Sequence, residues 1–565
     1  MFDSKQKQLF EATKKTSGNS FVSVGVKKSL KRSSKTNALG NGATKFLTTG
    51  SDFCDQFGKI TNYKAPRSYE DVAKDMQLLW SQDPENALKL AFYIRLITRT
   101  VSLPDGSKTK TTQRGQGLKH EGVFRLLWVA LNHPGTFWSN VPLYVSCGSW
   151  KDIITMLSYD LQYNGWNERK LDWNKFGQLI LAGLENPNSS ELIKKYLPQI
   201  RAKSACKTLE AQADNIIAKW ICSLIFGQKE SSYSYKLYRK LKSSGTAHEW
   251  QKLISQKRLL DINFETIHGR ALAQLVSGKF LKNNGLESVY EKWIATKPVA
   301  KYTGFIYELL APVKSGYHNQ QLKPYQVDTI NKQFYGVIET AKNGMKEGES
   351  GFLVVVDSSS SMTSKVPGTK VAAYDVAKAF ALYFSYLLKG PFEGVFMQFA
   401  DTAGLIQWKG KTPVERLQND GCEAYGSTNF QSVATVFTRL LKKGVPESDF
   451  PSGILCVSDG CFNNASNNKT NTKQLKIALT NAGFSKKYVD NFKIVLWDIP
   501  NNYYGKSQTA FENFADTPNL YHISGLDGSA IAFLTGVEGQ KSIPKTTEEL
   551  FQAAMDQEVL NLIEV

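Results

Sequence analysis

The chain has 565 residues, 41% of them hydrophobic and 12% aromatic, enough for two or three folded domains. No apolar run approaches the roughly 18 residues of a membrane span, and no apolar stretch marks the N-terminus as a leader, so a cytoplasmic protein without membrane insertion is expected. The net charge of +19 is divided unevenly: residues 351–565 hold 19 Lys/Arg against 21 Asp/Glu, leaving 51 against 30 in residues 1–350. A positive excess confined to one part argues for a phosphate-bearing partner, nucleic acid or an anionic surface, against the alternative of a solvated basic surface kept for solubility.

Residues 1–50 carry ten Lys/Arg, two acids and many Ser, Thr, Asn and Gly, as in Val26-Lys27-Lys28-Ser29-Leu30-Lys31-Arg32. They read as a basic flexible arm that either folds against phosphates or stays a solvated end.

Residues 51–345 read as a second unit, a helical domain. From Tyr69 to about Thr340, amphipathic helices of some 10 to 20 residues alternate with breaks at Gly, Pro or Asn. Ala87, Leu88, Ala91, Ile94 and Leu96 mark one, Phe124, Leu127, Val129 and Leu131 another, Ile216, Ile217, Trp220, Leu224 and Ile225 a third. Helix after short loop after helix suggests an irregular, HEAT-like helical-repeat array, with a plain bundle as the alternative. Three stretches stand out. Gln113-Arg114-Gly115-Gln116-Gly117-Leu118-Lys119 reads as a flexible loop feeding a helix, in which Arg114 and Lys119 offer charge and the glycines let backbone approach an anion. Cys147-Gly148-Ser149-Trp150-Lys151-Asp152 reads as a turn entering a helix. Tyr233-Ser234-Tyr235-Lys236-Leu237-Tyr238-Arg239-Lys240 interleaves aromatics with cations; Arg239 and Lys240 can hold phosphates while tyrosines stack bases, unless helical spacing turns Tyr235 and Tyr238 into the core.

The segment Asn343-Gly344-Met345-Lys346-Glu347-Gly348-Glu349-Ser350 is the clearest linker. Beyond it, residues 351–540 alternate strand and helix as a doubly wound parallel sheet does, and residues 541–565 read as a C-terminal helical tail. Strands are expected at Phe352–Val356, Gly394–Ala400, Leu405–Trp408, Gly453–Ser458, Phe492–Trp497 and Leu520–Ile523.

The run Phe352-Leu353-Val354-Val355-Val356 suits a central strand covered on both faces, and it ends in Asp357-Ser358-Ser359-Ser360-Ser361. Asp357, Ser359 and Ser361 are hard oxygen ligands of the kind Mg²⁺ prefers, although for that stretch alone an ordinary Ser-rich turn is the commoner reading. Two later loops, Gly426-Ser427-Thr428-Asn429 and Ser458-Asp459-Gly460, follow or precede elements of the same sheet. Parallel strands deliver their loops to one edge, where Asp357, Ser359, Ser361, Thr428 and Asp459 can converge.

With these five residues, the second half resembles a von Willebrand factor type A (vWA) domain. The resemblance implies a metal-ion-dependent adhesion site (MIDAS): Mg²⁺ or another divalent cation held by Ser359 and Ser361, with Thr428, Asp357 and Asp459 binding directly or through water, and an open position that accepts a protein partner's carboxylate. Ser360 stands where that family usually has glycine. A basic helical region ahead of such a domain, with Gly148-Ser149-Trp150-Lys151-Asp152 and the loop at 114–119, is similar to the TROVE or Ro-type RNA-binding proteins and a related plant and viral group. That likeness implies a ring of helical repeats closed by the type A domain, binding single-stranded or structured RNA in a ribonucleoprotein.

The expected function is therefore non-enzymatic RNA binding, with Arg114, Lys119, Arg239 and Lys240 as candidate contacts. The alternative is an assembly adaptor in a macromolecular or viral particle, working through the metal site. Catalysis is not expected: the six histidines are scattered, no Ser/His/Asp or Cys/His set is evident, and hydroxyl-rich coordination supplies little general base. The seven cysteines include no C-x-x-C pair, so reduced, mostly buried thiols are expected.

Overall fold

The computed structural model describes residues 36–38, 44–46, 49, 51–58, 67–164, 166, 168–227, 231–245, 248–267, 269–298, 300, 302, 304–313, 322–343, 351–366, 369–388, 392–419, 424, 426–460, 462, 470–499, 516–525, 531–535 and 542–565. Most of the basic arm and nearly all of the linker lie outside these. Two short strands, β1 (Thr36–Ala38) and β2 (Thr44–Phe46), pair antiparallel near the start.

Between Asp52 and Asn343 the described residues form helices joined by loops, with one two-stranded ribbon. The periodic apolar stretches become the helices Pro84–Arg95, Lys119–Asn132 and Leu209–Phe226. Their ends are written locally: Asp83 caps Asn86 N–H with Pro84 in the first turn, and Thr208 caps Ala211 N–H. At Ser149 the expected helix entry is a capping box, with Ser149 Oγ accepting from Lys151 N–H at 3.1 Å and the Ser149 N–H donating to Asp152 at 3.0 Å.

The ribbon corrects one expectation. Residues 113–116 are not a flexible loop but a strand, β4 (Gln113–Gln116), paired antiparallel with β3 (Ile97–Arg99). The reason is close packing: a Cβ at Gly115 would stand 2.3 Å from the Leu96 carbonyl oxygen, so this glycine permits backbone contact with protein.

The C-terminal part builds a six-stranded sheet from β5 (Leu353–Asp357), β6 (Val395–Phe399), β7 (Ala403–Gln407), β8 (Gly453–Ser458), β9 (Lys493–Asp498) and β10 (Leu520–Ser524), in the order β10-β9-β8-β5-β6-β7. Five strands are parallel, as expected; β7 runs antiparallel to β6. Only residues 400–402 join those two, and a parallel crossover needs a dozen or more residues. The helix Ala373–Ser385 covers one face and the helices Ser432–Lys442 and Asn471–Ala482 belong to the other.

Both sheet faces are buried, which is why β5 reads as an unbroken apolar run: Val354 and Val356 join one core, Leu353 and Val355 another. The first of these cores is continuous with the helices of the N-terminal half, from Cys54 to Ile338. Its seam is the C-terminal segment: Phe551, on the helix Thr547–Met555, stacks edge-on against Phe57 at 5.7 Å. Asn140 then holds both the N–H and the carbonyl of Glu564. The C-terminal segment is thus packed into the N-terminal helices. A third core, Leu253 to Tyr325, is separate.

Candidate functional site

β5 and β8 are neighbours, so their C-terminal tips lie side by side and present Asp357 and Asp459 together. Asp357, Ser359, Thr428 and Asp459 are all buried, the Asp357 side chain completely. The loop after β5 is tied to its surroundings by backbone. Ser358 donates through N–H and Oγ to the Phe399 carbonyl at 2.8 and 2.9 Å, and Ser360 N–H reaches the Gly426 carbonyl at 3.3 Å. Gly426 has φ +85°, and a Cβ there would come 2.6 Å from Asp401 Oδ2, so the turn before Thr428 requires glycine twice over. Asp401 in turn accepts from Ser427 N–H at 3.1 Å and Ser427 Oγ at 2.5 Å, which holds its carboxyl below the usual range and braces the Thr428 loop.

Asp357 is oriented by two donors: Ser359 N–H to Oδ1 at 2.8 Å and Ser458 Oγ to Oδ2 at 2.5 Å. Its carboxyl is nevertheless pushed up to about 7, first because burial disfavours the anion and second because Asp459 faces it; the hydrogen bonds only partly offset this. Burial and the same carboxylate push the Cys456 thiol up as well.

These residues fit a divalent cation. Ser359 Oγ and Ser361 Oγ are 3.1 Å apart, close to the roughly 3 Å between adjacent corners of an octahedron whose ligands stand about 2.1 Å from Mg²⁺. Two buried carboxylates that repel one another are the charge such an ion neutralises. Among the described residues no three His, Cys, Asp or Glu side chains form a metal cluster; this donor set is two carboxylates and three hydroxyls, the hard-oxygen chemistry of Mg²⁺. Sequence reading missed Ser458 and Asp401, whose roles as orienters depend on strand adjacency and carry no spacing signal.

The four cationic candidates are dispersed. Arg114 sits on β4, half-buried, with its backbone N–H and carbonyl both bonded to the Gln557 side chain. Lys119 opens the helix Lys119–Asn132; partial burial, aided by Lys151 and Arg95, lowers its ammonium to about 8. Arg239 and Lys240 lie exposed on the helix Ser232–Ser243. Tyr238 of that helix is buried, its hydroxyl donating to the Pro198 carbonyl at 2.9 Å, so this tyrosine is core.

Tertiary packing assembles a cationic group that linear reading did not collect. Lys119, Lys151 and Arg201 come within electrostatic reach of Asp214, which stands beside Glu210. Burial raises the Asp214 carboxyl, and these three cations oppose that rise. Lys119, Lys151 and Glu210 each stand in the first turn of a different helix, so three N-termini and three cations favour negative charge there. No helix among the described residues is long and apolar enough to cross a membrane.

No curated protein matches the chain by sequence. The crystal structure of the RO (RSR) protein of Deinococcus radiodurans is similar over 89% of this chain and 99% of that chain, at 12% identity and a TM-score of 0.45. Residues 352–558, which hold all five candidate metal ligands and the helix that seals the C-terminal seam, match the family model of a domain of unknown function, DUF7788.

Proposed function

We propose that this protein is a non-catalytic RNA-binding component of a ribonucleoprotein, acting in the cytoplasm, whose basic helical half holds single-stranded or irregular RNA. The observation that carries this reading is the charge division, 51 Lys/Arg against 30 Asp/Glu before residue 351 and near balance after it. The grouping of Lys119, Lys151 and Arg201 around Asp214, with Lys119 and Lys151 each in the first turn of a helix, supplies a local counterpart. Affinity for a single-stranded RNA oligomer, measured by fluorescence anisotropy from 50 to 200 mM salt, is expected to fall steeply as phosphate counterions are released. Affinity that stays constant over that range, or no binding at 50 mM, sinks the reading.

In the same proposal Asp357, Ser359, Ser361, Thr428 and Asp459 hold Mg²⁺ or another divalent cation. Bound there, the ion supplies a Lewis-acidic position for a carboxylate from a protein partner. Asp357 contributes charge, Ser458 and Ser359 keep its carboxylate aimed, and Asp401 positions the Thr428 loop through Ser427.

A second reading, an assembly adaptor within a larger or viral particle, is favoured by one observation: a buried cluster of two carboxylates and several hydroxyls lies in the near-neutral half, away from the positive excess. It predicts that Asp357→Ala or chelation releases a bound protein while RNA affinity is unchanged. A partner retained through both treatments removes this reading.

A further inference from the structure

The helix Ser232–Ser243 separates its side chains sharply. Ser234 and Tyr238 point into the core, and Tyr235 is half-buried with the Lys219 ammonium 5.7 Å from its ring centroid. The opposite side carries Tyr233, Lys236 and Lys240, at positions i, i+3 and i+7, which fall on one face of an α-helix. All three are exposed, Tyr233 at 69% of its surface, the most open aromatic ring among the described large hydrophobics. Arg239 is exposed beside them.

A lone exposed aromatic is ordinary. Its setting here is not. The helix contains no acid, whereas protein surfaces usually intersperse both signs. Among the described residues, Lys236, Arg239 and Lys240 make no ion pair; Lys242, by contrast, is spent on the Lys195 and Leu197 carbonyls at the end of the helix Pro187–Tyr196. That neighbouring helix ends in Lys194 and Lys195, adding cations at the same end.

We infer that Tyr233 is a stacking platform for an unpaired base of single-stranded RNA, with Lys236, Arg239 and Lys240 holding the flanking phosphates. This rests on the RNA-binding reading and names a residue and a nucleic-acid form for it. A tyrosine ring on a rigid helix offers a π-face at little entropic cost, and base stacking is tolerant of sequence. Lys236 and Lys240 are one helical turn apart, about 6 Å along the axis, and both lie to one side of the ring where a strand's backbone would pass. A base inside a duplex, stacked on both faces, cannot present its face to Tyr233, so the site favours single strands.

The test uses the full chain and two labelled probes, a 12-nucleotide oligouridine and a duplex RNA of equal length, read by anisotropy. Tyr233→Ala is expected to weaken oligouridine binding about tenfold while leaving duplex binding and the salt slope unchanged, and Tyr233→Phe is expected to restore affinity. Lys236→Gln with Lys240→Gln should instead lower the magnitude of the salt slope for oligouridine by about 1.4. The position is exposed, so matching thermal melts of wild type and variants verify the fold. If wild type binds oligouridine and Tyr233→Ala binds it equally well, the platform is wrong and the RNA reading stands. If polyglutamate of matched charge displaces oligouridine equivalently, the face recognises charge alone and the platform is likewise overturned. If wild type binds neither RNA, the RNA reading itself falls.

Discussion

The Gln557 side-chain amide accepts from the Arg114 N–H at 2.6 Å and donates to the Arg114 carbonyl at 3.0 Å, joining residues 443 positions apart. Gln113 Oε1 accepts from Val559 N–H at 3.0 Å beside it, and Lys110 N–H donates to Glu558 at 2.8 Å. The C-terminal segment thus completes the hydrogen bonding of the β3–β4 ribbon. Because Gln557 is buried, Gln557→Ala leaves a backbone donor and acceptor unsatisfied and is expected to cost about 2 kcal/mol, read as a lower urea midpoint at unchanged m.

Arg95 Nε and Asp152 Oδ2 form a buried ion pair at 2.7 Å, and Asp152 also completes the capping box of its helix. Asp152→Ala strands the guanidinium and removes the cap, with an expected loss of about 3–5 kcal/mol. Asp152→Asn, which keeps the shape and loses the charge, is expected to fall between that variant and wild type in thermal denaturation.

Asp357 gives the opposite sign in metal-free protein. Its burial opposite Asp459 disfavours the anion, so Asp357→Asn in the presence of chelator at pH 7.5 is expected to be at least as stable as wild type. Added Mg²⁺ should raise the melting temperature of wild type and leave this variant unmoved; calorimetry with and without Mg²⁺ reads both.

The same group sets a pH dependence. Folding raises the Asp357 carboxyl from the ordinary range to about 7, so between those limits the folded chain binds more protons than the unfolded one. Stability without metal therefore declines as pH rises through that window, by on the order of a few kcal/mol from this group. The stabilisation by Mg²⁺ is expected to be larger at pH 7.5 than at pH 5.5, where proton and metal compete for the site.

Lys119 gives a second pH signature. Partial burial lowers its ammonium to about 8, so its charge is present below that pH and lost above it. If Lys119 contacts phosphate, RNA affinity declines from pH 7 to 9 in wild type, and Lys119→Gln shows a weaker but flatter profile. Equal slopes in the two proteins remove Lys119 from the interface.

Much of this architecture is legible in the linear pattern because it rests on local periodicity. The helix over Lys119–Asn132 follows from apolar spacing, β8 over Gly453–Ser458 from a β-rich apolar run, and the Ser149 turn from its cap residues. That Asp357 and Asp459 come together was legible because neighbouring parallel strands bring their tips to one edge, whatever the lengths of the loops between them. The short link between β6 and β7 already disfavours a parallel crossover at the sheet edge, and the structure places β7 antiparallel.

Long-range pairing is another matter. That Arg114 lies on a strand clasped by Gln557, that Ser458 aims Asp357, and that Lys119 meets Lys151 and Arg201 around Asp214 depends on contacts between segments far apart in the chain. Composition located the positive charge in one half and spacing located the oxygen donors in the other. Helical spacing allowed the tyrosines to split between core and solvent, and packing decided the split: the five-residue step from Tyr233 to Tyr238 turns the helix about 140° beyond a full turn, so Tyr238 is buried against the Pro198 carbonyl and Tyr233 is left in solvent.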